Sequence, residues 1–425
     1  MKPPPPGGLR LAVGRAAVGL QQWLRRPLTS LHLILGVFGL LTLFGLVMVL
    51  SASSVTSYTS DGSSYSVFAR QLMFCVPGLA MFWLGLRITP KALRAVAPAL
   101  MVAGIVALVA VLLIGTERNG SKAWFAIGTF SVQPSEAVKV ALTLWGAHIL
   151  ASRRAVIHNW RYALSPVVPV TVLLFTLLVL QPDLGMTISL GVVLVALLFF
   201  AGAPMRLMAA IVVGGLSGAI VLGLTAGYRA SRIAAFLDPD SADPLAAGFQ
   251  ARQALYSLAD GGLFGVGLGQ GRAKWSYLPN AHNDFIFAII GEELGFVGAL
   301  AVLGLFATLA YTGFRIASRT VDPWLRLVVA TSTTWLVAQA AINIGYVVGL
   351  LPVTGLQLPL ISSGGTSLVV TMFVFGVLAN AARHEPEAVA ALHRDGQGRF
   401  ARLLGLRPPT PYRAKKPPAQ RGKVR

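Results

Sequence analysis

The sequence predicts an all-α, polytopic membrane protein of ten transmembrane helices, with a large extracytoplasmic loop between helices seven and eight. Three observations carry that expectation. Hydrophobic residues make up 55% of the chain and charged residues 12%, with a mean hydropathy of +0.71, whereas a soluble domain carries about 25% charged residues. The apolar residues gather in ten runs long enough to cross a bilayer, which takes ~20 residues. Most Lys and Arg fall in alternate connections, on one side of those runs. Together these exclude an ordinary soluble enzyme, a disordered chain and a fibre.

Taken in order, residues 1–30 form a Pro/Gly-rich basic tail. The first apolar run is long enough to remain as an anchor, so no cleavable secretory signal is expected. The first seven spans are placed at 31–50, 71–87, 95–114, 133–151, 163–180, 185–203 and 207–227. Only Gln181-Pro182-Asp183 separates the fifth from the sixth. The outer loop occupies 228–283, about 56 residues, a length that usually has a function. Spans 284–313, 327–350 and 364–382 follow, the eighth with a kink expected at Gly295 or Gly298. The membrane domain thus covers 31–383, and 384–425 is a second basic tail ending in Pro408-Pro409 and Lys415-Lys416-Pro417-Pro418, expected to be disordered. Two readings of that tail stand: a solvated segment drawn to anionic lipid, or a docking segment for a cytoplasmic partner. The single cysteine, Cys75, lies in an apolar run and supports neither a disulfide framework nor a cysteine metal site.

The formal charge of +20 would point to nucleic acid in a soluble protein. Its placement says otherwise. With both termini inside, the cytoplasmic segments hold 26 of the 35 Lys and Arg but four of the 15 Asp and Glu, a net of +22 against −2 for the remainder. That asymmetry orients the chain and requires an even number of spans. No basic face interleaved with aromatics supports a nucleic-acid partner.

Ionisable residues at membrane depth cost ~2.5–3.5 kcal/mol each to insert, which makes them functional candidates. Glu136 and Lys139 stand at i, i+3 at the start of span four, on one helical face, as a structural ion pair or as part of a site. Asp284, Glu292 and Glu293 open span eight, where helix-dipole stabilisation also favours an acid. Asp183 suits the N-cap of span six. His282 is a lone loop histidine without a second ligand at metal spacing. The run Gly261–Gly271 contains G-x-G patterns, but no βαβ unit surrounds it; glycines there suit close backbone approach. In the outer loop Asp243-Pro244 reads either as an Asx-Pro turn or as a carboxylate at the membrane boundary able to take a proton from a sugar hydroxyl. Arg229 and Arg232 nearby are suited to bidentate phosphate contacts.

Six motifs then appear in order: Asn119-Gly120-Ser121-Lys122-Ala123-Trp124; Gln133-Pro134-Ser135-Glu136-Ala137-Val138-Lys139; Gln181-Pro182-Asp183-Leu184-Gly185; Asp243-Pro244 with Gly248-Phe249-Gln250 and Gln253; Leu278-Pro279-Asn280-Ala281-His282-Asn283-Asp284 with Gly291-Glu292-Glu293-Leu294-Gly295; and Asn343-Ile344-Gly345 through Leu358-Pro359-Leu360-Ile361-Ser362-Ser363-Gly364-Gly365-Thr366-Ser367. Over residues 30–383 the chain resembles the SEDS family (shape, elongation, division and sporulation), the peptidoglycan glycosyltransferases FtsW and RodA. Leu278-Pro279 with Ala281-His282, and Thr354-Gly355-Leu356, look like the family's division branch. Two positions depart from the family pattern. Ala123 stands where the family usually carries Arg before the motif tryptophan, and Ser363 replaces a common aromatic.

The resemblance implies a substrate, lipid II, polymerised on the outer leaflet into β-1,4 glycan strands at the division septum. It makes Asp243 the catalytic residue and implies substrate contacts from Lys122, Trp124, Glu136, Lys139, Arg229, Arg232, Gln250, His282, Asp284, Ser362 and Thr366. It leaves a divalent cation, Mg or Mn, as a candidate cofactor. Its partners would be a class B penicillin-binding transpeptidase, other divisome proteins and membrane lipids. A lipid II flippase, an inactive scaffold and the elongation-type polymerase are the rivals. A flippase needs charges along a path from both leaflets, whereas here they cluster in the outer half and outer loop.

Overall fold

The computed structural model describes residues 26–410 apart from 119, 129, 226–235, 237–246, 276–277, 279–280 and 397, together with positions 18, 19, 22 and 24. Each of the ten apolar runs contains a helix: α1 (Thr29–Asp61), α2 (Ser66–Arg87), α3 (Pro90–Ile114), α4 (Pro134–Ser152), then past a short α5 (Trp160–Leu164), α6 (Val167–Leu180), α7 (Leu184–Ala201), α8 (Met205–Thr225) and, after α9 (Ala247–Gly261), α10 (Ile286–Arg319), α11 (Pro323–Val347) and α12 (Gly365–Arg383). Seven of these, α1, α2, α3, α7, α10, α11 and α12, are long and apolar enough to cross a membrane. Helix α6 and the apolar part of α8 are shorter, and α4 contains Glu136, Lys139 and His148. The chain is a multi-pass helical membrane protein.

The helix starts follow local chemistry. Proline opens α3, α4 and α11, where a missing N–H costs no hydrogen bond. Thr89, Asp183 and Asp322 cap α3, α7 and α11, each side chain accepting from a first-turn amide. Helices α2 and α12 approach closely through small residues, as membrane helices do. A Cβ at Gly376 would lie 2.2 Å from the Phe82 carbonyl oxygen, and one at Gly85 would lie 2.6 Å from that of Phe373. Outward-facing apolar side chains such as Leu43, Val76 and Leu113 remain exposed, as a lipid-facing surface requires.

Four features add to or correct the sequence expectation. Between α3 and α4 lies a small antiparallel sheet, β1 (Thr116–Arg118), β2 (Ser121–Ile127) and β3 (Phe130–Val132), in that order. The eighth span breaks at Gly295 (φ 68°, ψ −166°), a region of backbone space open essentially to glycine. The glycine-rich run docks into that break, with Val266 and Gly267 amides donating to the Glu292 and Glu293 carbonyls and Phe296 and Val297 amides donating to those of Gly262 and Leu263. The backbone groups freed by the kink are thereby satisfied. Lastly, residues 384–425 were expected as a disordered tail, yet the described part of it forms α13 (Pro386–Arg394) and α14 (Arg399–Leu403). This segment returns to the bundle: Trp83 Nε1 donates to the Leu404 carbonyl at 2.9 Å, Arg383 donates to that of Arg407 at 2.7 Å, and Leu406 is buried. Apolar Leu404 and Leu406 have a partner in the bundle, which a composition-based expectation of disorder does not register. The hairpin connections give the bundle two ends, one bearing the sheet and one bearing α13 and α14.

Candidate active site at the sheet end

The first turn of α4 places Glu136 and Lys139 on one face, and both are buried. Their ion pair spans 2.9 Å. Lys139 Nζ also donates to Gln339 Oε1 of α11 at 3.2 Å and lies 4.7 Å from the ring centre of Trp335. Trp335 Nε1 donates to the same Gln339 oxygen at 2.9 Å. Gln339 in turn donates to the Gln357 carbonyl at 2.8 Å, and the Gln357 side chain donates to Asn283 Oδ1 at 2.7 Å. One chain of polar contacts therefore runs from α4 through α11 to the segment that leads into α10.

A second arm reaches the turn between α6 and α7. Gln133 donates its side-chain amide to Asp183 Oδ2 at 2.9 Å, while Asp183 Oδ1 accepts from the Met186 amide at 3.0 Å. Burial pushes the Asp183 carboxyl above the usual carboxylate range; the Met186 amide pulls it back, Glu136 pushes further up, and Lys139 and Gln133 pull down. Thr366 accepts from the Gln133 backbone amide at 3.2 Å and donates to the Ser131 carbonyl at 3.2 Å. Ser121 of β2 donates to the Gln181 carbonyl at 2.6 Å, tying the sheet to the same turn. Glu136, Lys139 and Gln339 thus form a buried floor, and the partly exposed Asp183, Asn283, Gln357 and Thr366 form its rim. Side-chain amides and carboxylates in this density suit a ligand rich in hydroxyl groups, because each amide both donates and accepts.

The other predicted residues separate. His282 is half-buried at the rim, its carbonyl accepting from the Ser363 amide at 3.0 Å. Burial, then the nearby Arg70 charge, hold its imidazole below the ordinary histidine value. The Asp284 carbonyl accepts from Asn343 and from the Tyr346 hydroxyl, each at 2.8 Å, which fixes the entry to α10. Ser362 is buried and accepts from the Leu358 amide at 2.8 Å, closing the turn before α12. Lys122 lies on β2 one position out of phase with buried Ala123 and donates to the Leu113 carbonyl at 3.1 Å, at the C-terminus of α3. Trp124 stacks loosely with Arg118, 6.0 Å from ring centre to guanidinium carbon. Gln250 is half-buried on α9. Asp243, Arg229 and Arg232 lie outside the described residues.

Sequence reasoning passed over Gln339, Trp335, Gln357 and Gln133. Gln339 lies 200 positions from Lys139, and no local pattern marks such a pair. Gln133 was legible as the residue preceding a helix-opening proline, but not as a partner of Asp183. Among the described residues no group of three or more His, Cys, Asp or Glu is placed to hold a metal ion.

Residues 31–387 match the sequence model of the FtsW/RodA/SpoVE family, described as a cell cycle protein. A probable peptidoglycan glycosyltransferase FtsW of Mycobacterium tuberculosis is 53% identical over 392 residues, 92% of this chain and 75% of that protein. The bundle superposes on a chain from the structure of a peptidoglycan synthase complex that coordinates polymerization and crosslinking, with a TM-score of 0.68 at 30% identity over 86% of this chain and 99% of that one. The crystal structure of the rod shape determining protein RodA of Thermus thermophilus gives a TM-score of 0.62 at 28% identity, with the same coverage of 86% and 99%.

Proposed function

Because the chain belongs to the FtsW/RodA/SpoVE family of cell cycle proteins, we propose that it is a peptidoglycan glycosyltransferase that joins lipid II into glycan strands during septal wall synthesis. The observation that carries this reading is convergence. Residues from the second, third, fifth and last motifs, scattered from Gln133 to Thr366, meet in one polar network at one end of the bundle. Chemistry at one membrane face needs such an arrangement; passage of a lipid-linked sugar across the bilayer would need polar groups along both halves.

In this reading the ten helices all span the cytoplasmic membrane, the sheet end faces outward, and both tails lie in the cytoplasm, in keeping with the charge asymmetry. Asp243 takes the proton of the acceptor sugar hydroxyl as its oxygen attacks the donor anomeric carbon with inversion, and the bond to undecaprenyl pyrophosphate breaks. Arg229, Arg232 or Lys122 stabilises the departing pyrophosphate. Glu136 and Lys139, being buried, hold the rim in place rather than touch the sugar. A dependence of turnover on added Mg or Mn after EDTA treatment would establish a divalent cation as cofactor. The similarity to a chain of a synthase complex supports a class B penicillin-binding transpeptidase as partner, with other divisome proteins and membrane lipids around it.

Proteoliposomes test the reading. The purified protein, with its transpeptidase, should convert labelled lipid II into polymer while leaving the rate of lipid II movement between leaflets unchanged. Accelerated movement without polymer would establish the flippase instead.

A further inference from the structure

A second buried charge cluster lies at the break in α10, apart from the polar network. Glu292 and Glu293 are both buried, with one buried cation beside them among the described residues, Lys274 of the outer loop. Glu293 pairs with Lys274 at 3.2 Å and accepts from Ser51 of α1 at 2.7 and 2.5 Å. Glu292 accepts instead from the backbone amides of Arg272 and Ala273. Lys274 also donates to the Gly269 carbonyl. The two carboxylates thus grip one loop segment by different means, one through charge and one through amides. The same segment supplies the glycines that fill the helix break: a Cβ at Gly265 would fall 2.2 Å from the Glu293 carbonyl oxygen, and one at Gly261 would fall 1.9 Å from that of Gly291. Helix α9 ends at Gly261, so its C-terminal end is anchored by this contact.

We propose that Glu293, Lys274 and Ser51 are positioning residues that lock the second half of the outer loop to α1 and α10, so that α9 is held in fixed register against the sheet-end site. Isolated buried charges do not persist without partners, and a surface loop has no need of a buried lysine for solubility. The tie joins three elements distant in sequence, and helix α9, which it fixes, begins four positions after Asp243 in the sequence. This inference rests on the glycosyltransferase reading for its effect on turnover, and on geometry alone for its effect on the loop.

The test uses the full chain in nanodiscs as wild type, Glu293→Gln, Lys274→Met and the double variant. Amide exchange over residues 262–275 and the kcat and KM for lipid II polymerisation are read in parallel. Each single variant is expected to raise exchange of that segment about tenfold and to lower kcat ~10–100-fold with KM little changed, as misplacement of a site does. In the double variant neither Glu293 nor Lys274 is left without the other, while Glu292 keeps its backbone amides, so it should fall between the singles and wild type in both readouts. Wild-type kcat in any folded variant, or unchanged exchange in both singles, overturns the proposal. A wild-type protein that makes no polymer would defeat the functional reading, while the exchange comparison would still judge the latch.

Discussion

Replacing Lys139 by Met should cost more than replacing Glu136 by Gln, although the two residues form one ion pair. The asymmetry is built into their partners. Lys139 has three: Glu136 at 2.9 Å, Gln339 at 3.2 Å and the Trp335 ring at 4.7 Å. Glu136 Oε2 has no partner among the described residues other than Lys139. Lys139→Met therefore strands a buried carboxylate, a loss of about 3–5 kcal/mol. Glu136→Gln leaves the ammonium with a charge-assisted hydrogen bond and a cation–π contact, worth ~2–5 kcal/mol between them, and its net cost should be about 1–2 kcal/mol. In the double variant no charge remains, so its cost should be less than the sum of the singles by about 2 kcal/mol. Unfolding of the purified chain in mixed micelles, followed by tryptophan fluorescence, measures all three, with Trp335 itself as a reporter beside the pair. Equal destabilisation by Glu136→Gln and Lys139→Met would show that the contacts of Lys139 with Gln339 and Trp335 do not hold the ammonium without Glu136. Glu136→Gln is further expected to lower polymerisation in protein that still folds and inserts; normal turnover would reduce the pair to scaffolding.

Three further outcomes follow from other parts of the molecule. The half-buried His282 is held neutral by burial and by Arg70, so the folded state binds its proton less readily than the unfolded chain; stability from this site should be full above about pH 6.5 and fall as the pH drops towards the lowered folded value, and His282→Gln should flatten that slope in a pH series of unfolding midpoints. Gly295→Ala meets both a positive φ and a Gly265 nitrogen 2.3 Å from the new Cβ; it should prevent recovery of folded protein on size exclusion, whereas Gly304→Ala, which has nothing within 4 Å, should be recovered like wild type. Truncation after residue 396 removes Leu404 and Leu406 from their seat near Trp83 and should lower the unfolding midpoint.

The helices were legible because hydrophobic run length is a local property, and every expected run contains a helix. The kink was legible at Gly295 for a similar reason, since glycine clusters mark close backbone approach. The sheet was missed although Asn119-Gly120 is a hairpin signal; its strands are short and sit between two strongly apolar runs. The folded segment after residue 386 was missed because it is tied to Trp83, 321 positions from Leu404, and folds back on Arg383, 24 positions from Arg407. At the site, Glu136, Lys139 and Asp183 were visible as polar residues at membrane depth. Their acceptors and donors on α11 and in the loop before α12 were not, because a single sequence records no distances. Lys122 shows another limit: its contact with the Leu113 carbonyl at the end of α3 follows from its place on β2, which the sequence alone did not reveal.

The central claim is that an outer-loop carboxylate drives glycan transfer at the sheet end. Its most direct measurement is polymer formation from labelled lipid II by purified wild-type and Asp243→Ala proteins, each with its transpeptidase and each shown to be folded. Glycan polymer is expected from the wild type and none from the variant, with lipid II binding retained. Polymer from Asp243→Ala at the wild-type rate would contradict it.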